Sequence, residues 1–479
     1  MRCLLGLLFL ATVFAGQAAA TTTAYVTVNR NTPGAVVSNQ ILGMNLGNWF
    51  DMTHAGIAST LAAGGITAVR WPGGSQSDLF HWQSNKDCAG GYVNVRSPFS
   101  TFISDVAVPG RFDVAVTLNY GSNATCNGGG SPTEAAAWVA YAKAHGEAVS
   151  HWTVGNEVFG SWEYDLHPIK HDPTTYANAV ATGYYPDIKA ADPKALVGVV
   201  AAPGYHWDSI VLAKAKYDFV EFHYYAQTPG KESDSYLVGG KGAQDFANAL
   251  NNVKIDLAAA GRSGTPIYVG ELGSVYASPG KQSTSITQAL FAGEALGEMM
   301  NAGVARATWW LGYGSCTNSY HANFSASLYG WQNFGGYQVV ADGTPEYGCP
   351  SATKVPFGTP LPTARAYQLF SLVAKTGQRA LPVTLSGATT YLRAYAATAG
   401  TGTALVLFNT NQTLPQNVSI AIAGIASSSK VDTTVYDRAI YDESRSNIWA
   451  APQVTALGAK IMPLALTLQP WSMTVVQLK

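Results

Sequence analysis

Charge is scarce in this chain. Asp, Glu, Lys and Arg make up 12% of its 479 residues and the net charge is −1, where roughly a quarter charged is usual. Such a composition offers no basic patch, so nucleic acid and polyanionic partners are excluded. Cysteine is scarce as well, with 5 in all. None of them stands in CxxC spacing, and there is no H-E-x-x-H, which speaks against a zinc site. A G-x-S-x-G elbow and a P-loop lysine are also missing. The reading therefore expects no metal and no organic cofactor. Beyond the first twenty or so positions no apolar run is long enough to cross a bilayer.

Other features are plentiful. Gly 49, Tyr 25 and Trp 12 mark a loop-rich, aromatic-rich chain suited to neutral polar ligands with apolar faces, of which sugars are the obvious class. Residues 1–20 read as an export leader: Arg2, an apolar run from Leu4 to Phe14, then Ala18-Ala19-Ala20 as the cleavage site. The expected location is secreted or periplasmic, with no membrane partner once the leader is removed. Cys3 leaves with it, and Cys88, Cys126, Cys316 and Cys349 remain. An even number in an exported chain favours disulfides, read here as Cys88–Cys126 and Cys316–Cys349 because each joins neighbouring loops.

Apolar strands alternating with amphipathic helices begin near residue 41. The strands are expected at 41–49, 68–71, 112–120, 151–157, 196–201, 217–225, 266–271 and 306–311. Helices lie between them, at 133–145 after Ser131-Pro132, at 174–190 after Asp172-Pro173, at 244–260 and at 286–302. A last helix is expected at 362–376. Eight such units predict an α/β fold, a (β/α)₈ TIM barrel over 41–378. After Gly377 the helical period stops. Short strands at 382–385, 390–396, 404–408, 418–422, 430–436 and 464–479 predict a C-terminal antiparallel β-sandwich over 379–479. Residues 21–40 have no barrel partner, and their strand is expected to pair into that sandwich.

Two glutamates carry the chemistry. His151-Trp-Thr-Val-Gly-Asn-Glu157 and Pro266-Ile-Tyr-Val-Gly-Glu271 are both apolar strands that run into a carboxylate. Two carboxyls at strand ends facing one cleft are what glycoside hydrolysis requires, one to protonate the leaving oxygen and one to attack or to activate water. Burial beside a like charge should raise Glu157 into the range of a general acid. Arg70 and Tyr225 should keep Glu271 ionised.

These motifs carry a resemblance. Gly155-Asn156-Glu157 near the fourth strand and Glu271 on the seventh resemble the acid/base and nucleophile of clan A retaining glycoside hydrolases. Val69-Arg70-Trp71-Pro72-Gly73-Gly74 with Asp78-Leu79-Phe80-His81-Trp82, and His223-Tyr224-Tyr225 on the sixth strand, resemble family 51 α-L-arabinofuranosidases. Families 39, 30 and 79 share the same pair of glutamates. Two departures stand out: Gly270 and Leu272 flank Glu271 where family 51 tends to carry Asp and Trp, and residues 158–162 differ.

The resemblance implies an enzyme, a glycoside hydrolase acting by retaining double displacement on a carbohydrate substrate, with an α-L-arabinofuranosidase as the first substrate assignment. The alternatives are a β-glycosidase or endo-glycanase of a related family, and a non-catalytic glycan-binding protein on the same barrel. Asn156, Arg70, Tyr225 and His223 are expected at the substrate. So is one tryptophan of the Trp309-Trp310 pair, taken as Trp309. Asn45 and Asn119 end strands one and three and would meet sugar hydroxyls, or else serve as turn residues. His81 and Trp82 either line the site or pack beneath it. His151 reads as structural, and Glu163 and Asp165 as solvated spare acids.

Overall fold

The structure is a computed structural model, and it describes residues 23–88, 90–345, 355–446 and 450–479. Eight parallel strands close into a barrel: Gly43–Asn45, Ala68–Trp71, Asp113–Leu118, Val149–Val154, Leu196–Val200, Phe219–Gln227, Ile267–Val275 and Arg306–Trp309. The ring closes where Thr308 and Trp309 of the eighth pair with Gly43 and Met44 of the first. Side chains such as Val69, Val114, Val116, Val154, Val197, Val199, Val220 and Val269 are fully buried. A parallel strand covered on both faces needs that apolar density.

The first strand is shorter than the reading expected, because residues past Asn45 leave the sheet to build the rim. Strands six and seven are longer. Both run on past the barrel, Leu272–Val275 pairing with Tyr224–Gln227, so Glu271 lies inside its strand and not at its end. The helix at 133–145 forms as Pro132–Ala144, capped by the Ser131 side chain accepting from the Glu134 amide. The helix at 174–190 forms in three pieces, Pro173–Ala179, a wider turn at Val180–Tyr184, and Tyr185–Ala191. The last helix, Pro362–Phe370, stops before the expected end at 376.

The β-domain has two sheets. A six-stranded antiparallel sheet runs through Leu392–Ala399, Gly402–Asn409, Ser472–Leu478 and Ser427–Asp437. In a four-stranded one, Ala24–Val28 lies antiparallel to Val383–Gly387 and parallel to Gln416–Ile422. Ala24, Val26 and Val28 point into the core between the sheets, against Leu405, Leu407, Val418, Ile420 and Val476. A short helix, Arg438–Glu443, interrupts the strands and is capped by Asp437 accepting from the Ile440 amide at 2.9 Å. It is too brief to show a helical period in sequence.

Helix Ile286–Ala302 is buried on nearly every side, because the barrel covers one face and the β-domain the other. At Gly297 the approach is so close that a Cβ would lie 2.4 Å from the Tyr395 ring. Cys88 and Cys126 form a disulfide between the loops after strands two and three. Cys349, and with it the expected Cys316–Cys349 pair, lies outside the described residues, as does the leader expected over 1–20.

Candidate active site

The cleft opens at the C-terminal end of the barrel, with a volume of about 760 Å³, and Asn156, Glu157, Glu163, His223, Tyr225 and Glu271 line it. Strand four ends at Val154, and the chain then turns sharply. Glu157 itself takes the left-handed region at φ 42°, a conformation that costs a non-glycine residue about 1–2 kcal/mol. The Gly160 amide donating to its carbonyl at 2.7 Å helps to hold the turn. Asp78 fixes the same turn from the loop after strand two: one carboxylate oxygen accepts from the Asn156 amide at 2.9 Å, the other from the Tyr120 and Gly121 amides at 2.9 and 3.1 Å.

Glu271 faces the cleft because strand seven carries a bulge. Tyr268 points into the barrel, its hydroxyl 3.1 Å from that of Thr308. Simple alternation would then send Glu271 outward. The register slips between Val269 and Glu271 against strand six, and the extra residue, Gly270, turns Glu271 back to the interior.

A network joins the two carboxyls. Arg70 is fully buried. Its Nη1 donates to Glu271 Oε1 at 3.1 Å and to Asn45 Oδ1 at 2.9 Å, its Nη2 donates to Asn156 Oδ1 at 2.8 Å, and its Nε lies 2.9 Å from Glu221 Oε1. The Tyr225 hydroxyl donates to Glu271 Oε2 at 2.6 Å. His223 Nδ1 is 2.8 Å from Glu157 Oε1, and its Nε2 is 3.2 Å from Glu221 Oε1. Trp162 Nε1 donates to the other oxygen of Glu157 at 2.9 Å. One oxygen each of Glu157 and Glu271 lie within 4.8 Å of each other.

With a carboxylate on each ring nitrogen, His223 donates from both and carries a positive charge. Burial lowers its pKa, but Glu271, Glu157 and Glu221 together raise it to about 10. Burial also pushes Glu157 up, yet the His223 hydrogen bond and charge, Trp162 and Arg70 bring it below the ordinary range. Glu271 is held above that range by burial and the Glu157 charge, against His223, Arg70 and Tyr225. Glu157 is then the more readily ionised carboxyl, the reverse of the order the sequence suggested. The reason is His223, which faces Glu157 directly.

Glu157, His223 and Glu271 have the spacing of metal ligands, and His223 would have to release a ring proton to bind a cation there. His81, Cys88 and Cys126 also cluster, and there the disulfide leaves no thiolate.

Several residues expected at the substrate lie elsewhere. Trp309 is buried outside the barrel wall, against Phe291 and Tyr367, while Trp310 lines the cleft. Strand parity decides this, since Arg306 and Thr308 point inward and Trp309 must therefore point out. Asn45 is fully buried, and its amide donates to the Gly270 carbonyl at 2.9 Å, tying strand one to strand seven. Arg70 spends its donors on protein partners and meets no open space. Asn119 donates to the Phe80 carbonyl and to Ser122, as a loop residue. His81 is bound to Glu134 at 3.0 Å, and Trp82 stacks on Trp138 at 5.7 Å, so both pack beneath the rim.

Glu163 and Asp165 are buried and not solvated. Glu163 Oε1 accepts from Ser75 and Asn156, and burial with the Asp78 and Glu157 charges raises its pKa to about 9. Sequence reasoning also missed Glu221 and Trp162 as parts of the site, and of the Trp309-Trp310 pair it chose the member that faces away. Glu221 had a signal, an acid inside the apolar strand Phe219-Val-Glu-Phe.

No protein-family model and no curated protein sequence matches the chain. Solved structures do. An arabinofuranosidase aligns with a TM-score of 0.73 at 16% identity, over 95% of this chain and 100% of that one. The α-L-arabinofuranosidase of Thermotoga maritima, solved as an arabinose complex, gives 0.73 at 15%, over 95% and 100%. The family 44 endoglucanase Cel44A of Clostridium thermocellum gives 0.63 at 14%, over 96% and 100%. The likeness is one of fold. It covers barrel and β-domain together.

Proposed function

We propose that this chain is an exported, retaining glycoside hydrolase, with Glu157 as acid/base and Glu271 as nucleophile. One observation carries the reading: two carboxyl oxygens within 4.8 Å, from strands four and seven, in one cleft. Oxygens this close are in keeping with the short separation of retaining enzymes, roughly 5–5.5 Å between carboxyl groups, more than with the roughly 6.5–9.5 Å that an inverting enzyme needs for its water. Tyr225 and Arg70 hold the two oxygens of Glu271 and aim the carboxylate at the reacting carbon. His223 lies 2.8 Å from Glu157 Oε1 and orients the carboxyl that protonates the leaving oxygen. Asn156 keeps one N–H for the hydroxyl beside the reacting carbon, since its other amide contacts go to Arg70 and Glu163.

Within that reading, an α-L-arabinofuranosidase is the first substrate assignment. The solved arabinofuranosidases it matches along their whole length support it. An endo-glycanase is the second reading, favoured by Trp162 and Tyr205, which are 57% and 59% exposed beside Glu157 and extend the cleft with aromatic faces. The working division is a leader over 1–20, a catalytic barrel over 41–378 and a β-domain over 379–479 joined by the strand within 21–40.

The test is kinetic, on a panel of aryl glycosides that includes arabinofuranosides. Glu271→Ala should abolish turnover of every substrate. Glu157→Ala should spare activated aryl glycosides far more than poor leaving groups, and azide should rescue it with retained configuration. Glycan binding without turnover by the wild-type protein would instead favour a non-catalytic binder.

A further inference from the structure

The carboxyl that touches neither substrate space nor solvent ties three neighbours of this site together. Glu221 stands on strand six, two residues before His223, and is 1% exposed. Its Oε1 lies 2.9 Å from Arg70 Nε and 3.2 Å from His223 Nε2, and its Oε2 accepts from the Thr153 hydroxyl on strand four. A buried carboxylate is costly unless its oxygens are paired in this way. The room it occupies is borrowed from strand seven. A Cβ at Gly270 would fall 2.1 Å from Glu221 Oε1 and 2.4 Å from its carboxyl carbon, so any side chain beside the nucleophile would collide with Glu221.

We propose that Glu221 is the positioning residue of this site: one buried carboxylate, seated in the space left open by Gly270, holds Arg70 against Glu271 and His223 against Glu157. It thereby couples two carboxyls that come from different strands. The inference rests on the hydrolase reading, but its first test needs no substrate. Arg70 reaches Glu271 Oε1 from the opposite side of its guanidinium to the edge that Glu221 holds. His223 likewise presents one nitrogen to each acid. Removing the charge at Glu221 releases both clamps together.

The groups facing this centre are Arg70 from strand two, Thr153 and His151 from strand four, Glu157 from the turn after it, and Tyr268 and Glu271 from strand seven. Three carboxylates face His223 and favour its charged form, while burial works against it. Loss of one of the three should lower its titration midpoint by about one pH unit or more, the effect of one close opposite charge.

The experiment compares wild type with Glu221→Gln, which keeps the volume and the Thr153 contact. Side-chain NMR of the histidines, with His223→Gln to assign the signal, should show the His223 midpoint moving down by that amount. An unmoved midpoint would overturn the proposal. In kinetics on the best aryl glycoside, kcat should fall about 10²-fold or more with little change in KM, and the alkaline limb of kcat/KM should shift acidward with the NMR midpoint. A change in KM alone, with the limb unmoved, would also count against it.

A second pair of variants covers a folding failure of Glu221→Gln. Gly270→Asp alone should be inactive, and Glu221→Ala with Gly270→Asp should recover about tenfold or more over Glu221→Ala, a coupling of the size contacting residues show. No recovery would overturn the shared-space argument. If the midpoint shifts but no glycoside is cleaved, the hydrolase reading fails and the coupling stands. Cleavage with an unmoved midpoint is the converse.

Discussion

The two ends of this barrel each hold a buried arginine beside a half-buried histidine, with opposite results. At the mouth, Arg70 and His223 sit among Glu157, Glu221 and Glu271, and the histidine is raised to about 10. At the floor, Arg306 from strand eight is bonded to the Asp113 side chain, to the Asp113 carbonyl at 2.6 Å and to the Val69 carbonyl at 3.1 Å. His151 beside them is lowered to about 4, by burial first and then by the Arg306 charge, against Asp113 and Glu221. The difference is a count of charges. Arg306 is already paired with Asp113, which leaves Glu221 as the other carboxylate that favours a charged His151, whereas the mouth holds more carboxylates than one arginine can satisfy. A closed count makes a structural plug, and an open one leaves a proton to be moved.

The arginines break this contrast most directly. Arg70→Met should cost about 10²-fold or more in kcat, because Glu271 loses a fixed donor. Arg306→Met should instead cost about 1–3 kcal/mol of stability by taking the charged partner from Asp113, whose side chain is 30% exposed, and the protein that stays folded should turn over normally. Urea melts and steady-state kinetics on both variants check this, and a rate loss in Arg306→Met without destabilisation would collapse the distinction.

The tryptophans carry the same contrast across the barrel wall. Trp309→Ala should destabilise by about 3–5 kcal/mol, since it empties a packed site between Phe291 and Tyr367. Trp310→Ala should leave the melting temperature nearly unchanged and raise KM, because its face lines the cleft. The reverse pattern would return Trp309 to the substrate.

Reducing Cys88–Cys126, which are 38 residues apart in sequence, should cost about 2–4 kcal/mol, seen as a lower melting temperature when reductant is added. The bridge ties mouth loops only, so Arg306 and Asp113 should not register its loss.

The histidines give the smallest effect, and its sign differs between the ends. His151 is folded in its neutral form, with a pKa near 4 against an ordinary 6.5. The unfolded chain binds the extra proton, so its contribution to stability is present above pH 6.5 and is lost as pH falls toward 4. His223 is folded charged, so its contribution is present below 6.5 and is lost as pH rises toward 10. His151→Gln should flatten the acid side of the stability profile and His223→Gln the alkaline side, each by about 1–3 kcal/mol. Chemical denaturation across pH measures both.

Composition and period settled the architecture from sequence. Strands such as Leu196–Val200 and Ile267–Val269 can only lie between two apolar layers, and their alternation with helices leaves a closed parallel barrel as the natural arrangement. Glu157 was legible for the same reason, because an acid where such a strand leaves the core faces the mouth; Glu271 was picked out by the same pattern, although its strand runs on to Val275. Asn156, Tyr225 and His223 followed from their neighbours in the chain. What sequence could not decide was direction and depth. The bulge at Gly270 reverses the parity of strand seven, and no one-dimensional pattern shows it. Whether Trp309 or Trp310 faces inward depends on where parity starts on strand eight, which Arg306 and Thr308 set through contacts with strands two, three and seven. The protonation order of Glu157 and Glu271 depends on His223 and Glu221, brought against them from a strand far away in the chain. Electrostatic energy falls with distance in space and takes no account of distance along the sequence, so only the folded barrel could fix where the proton rests.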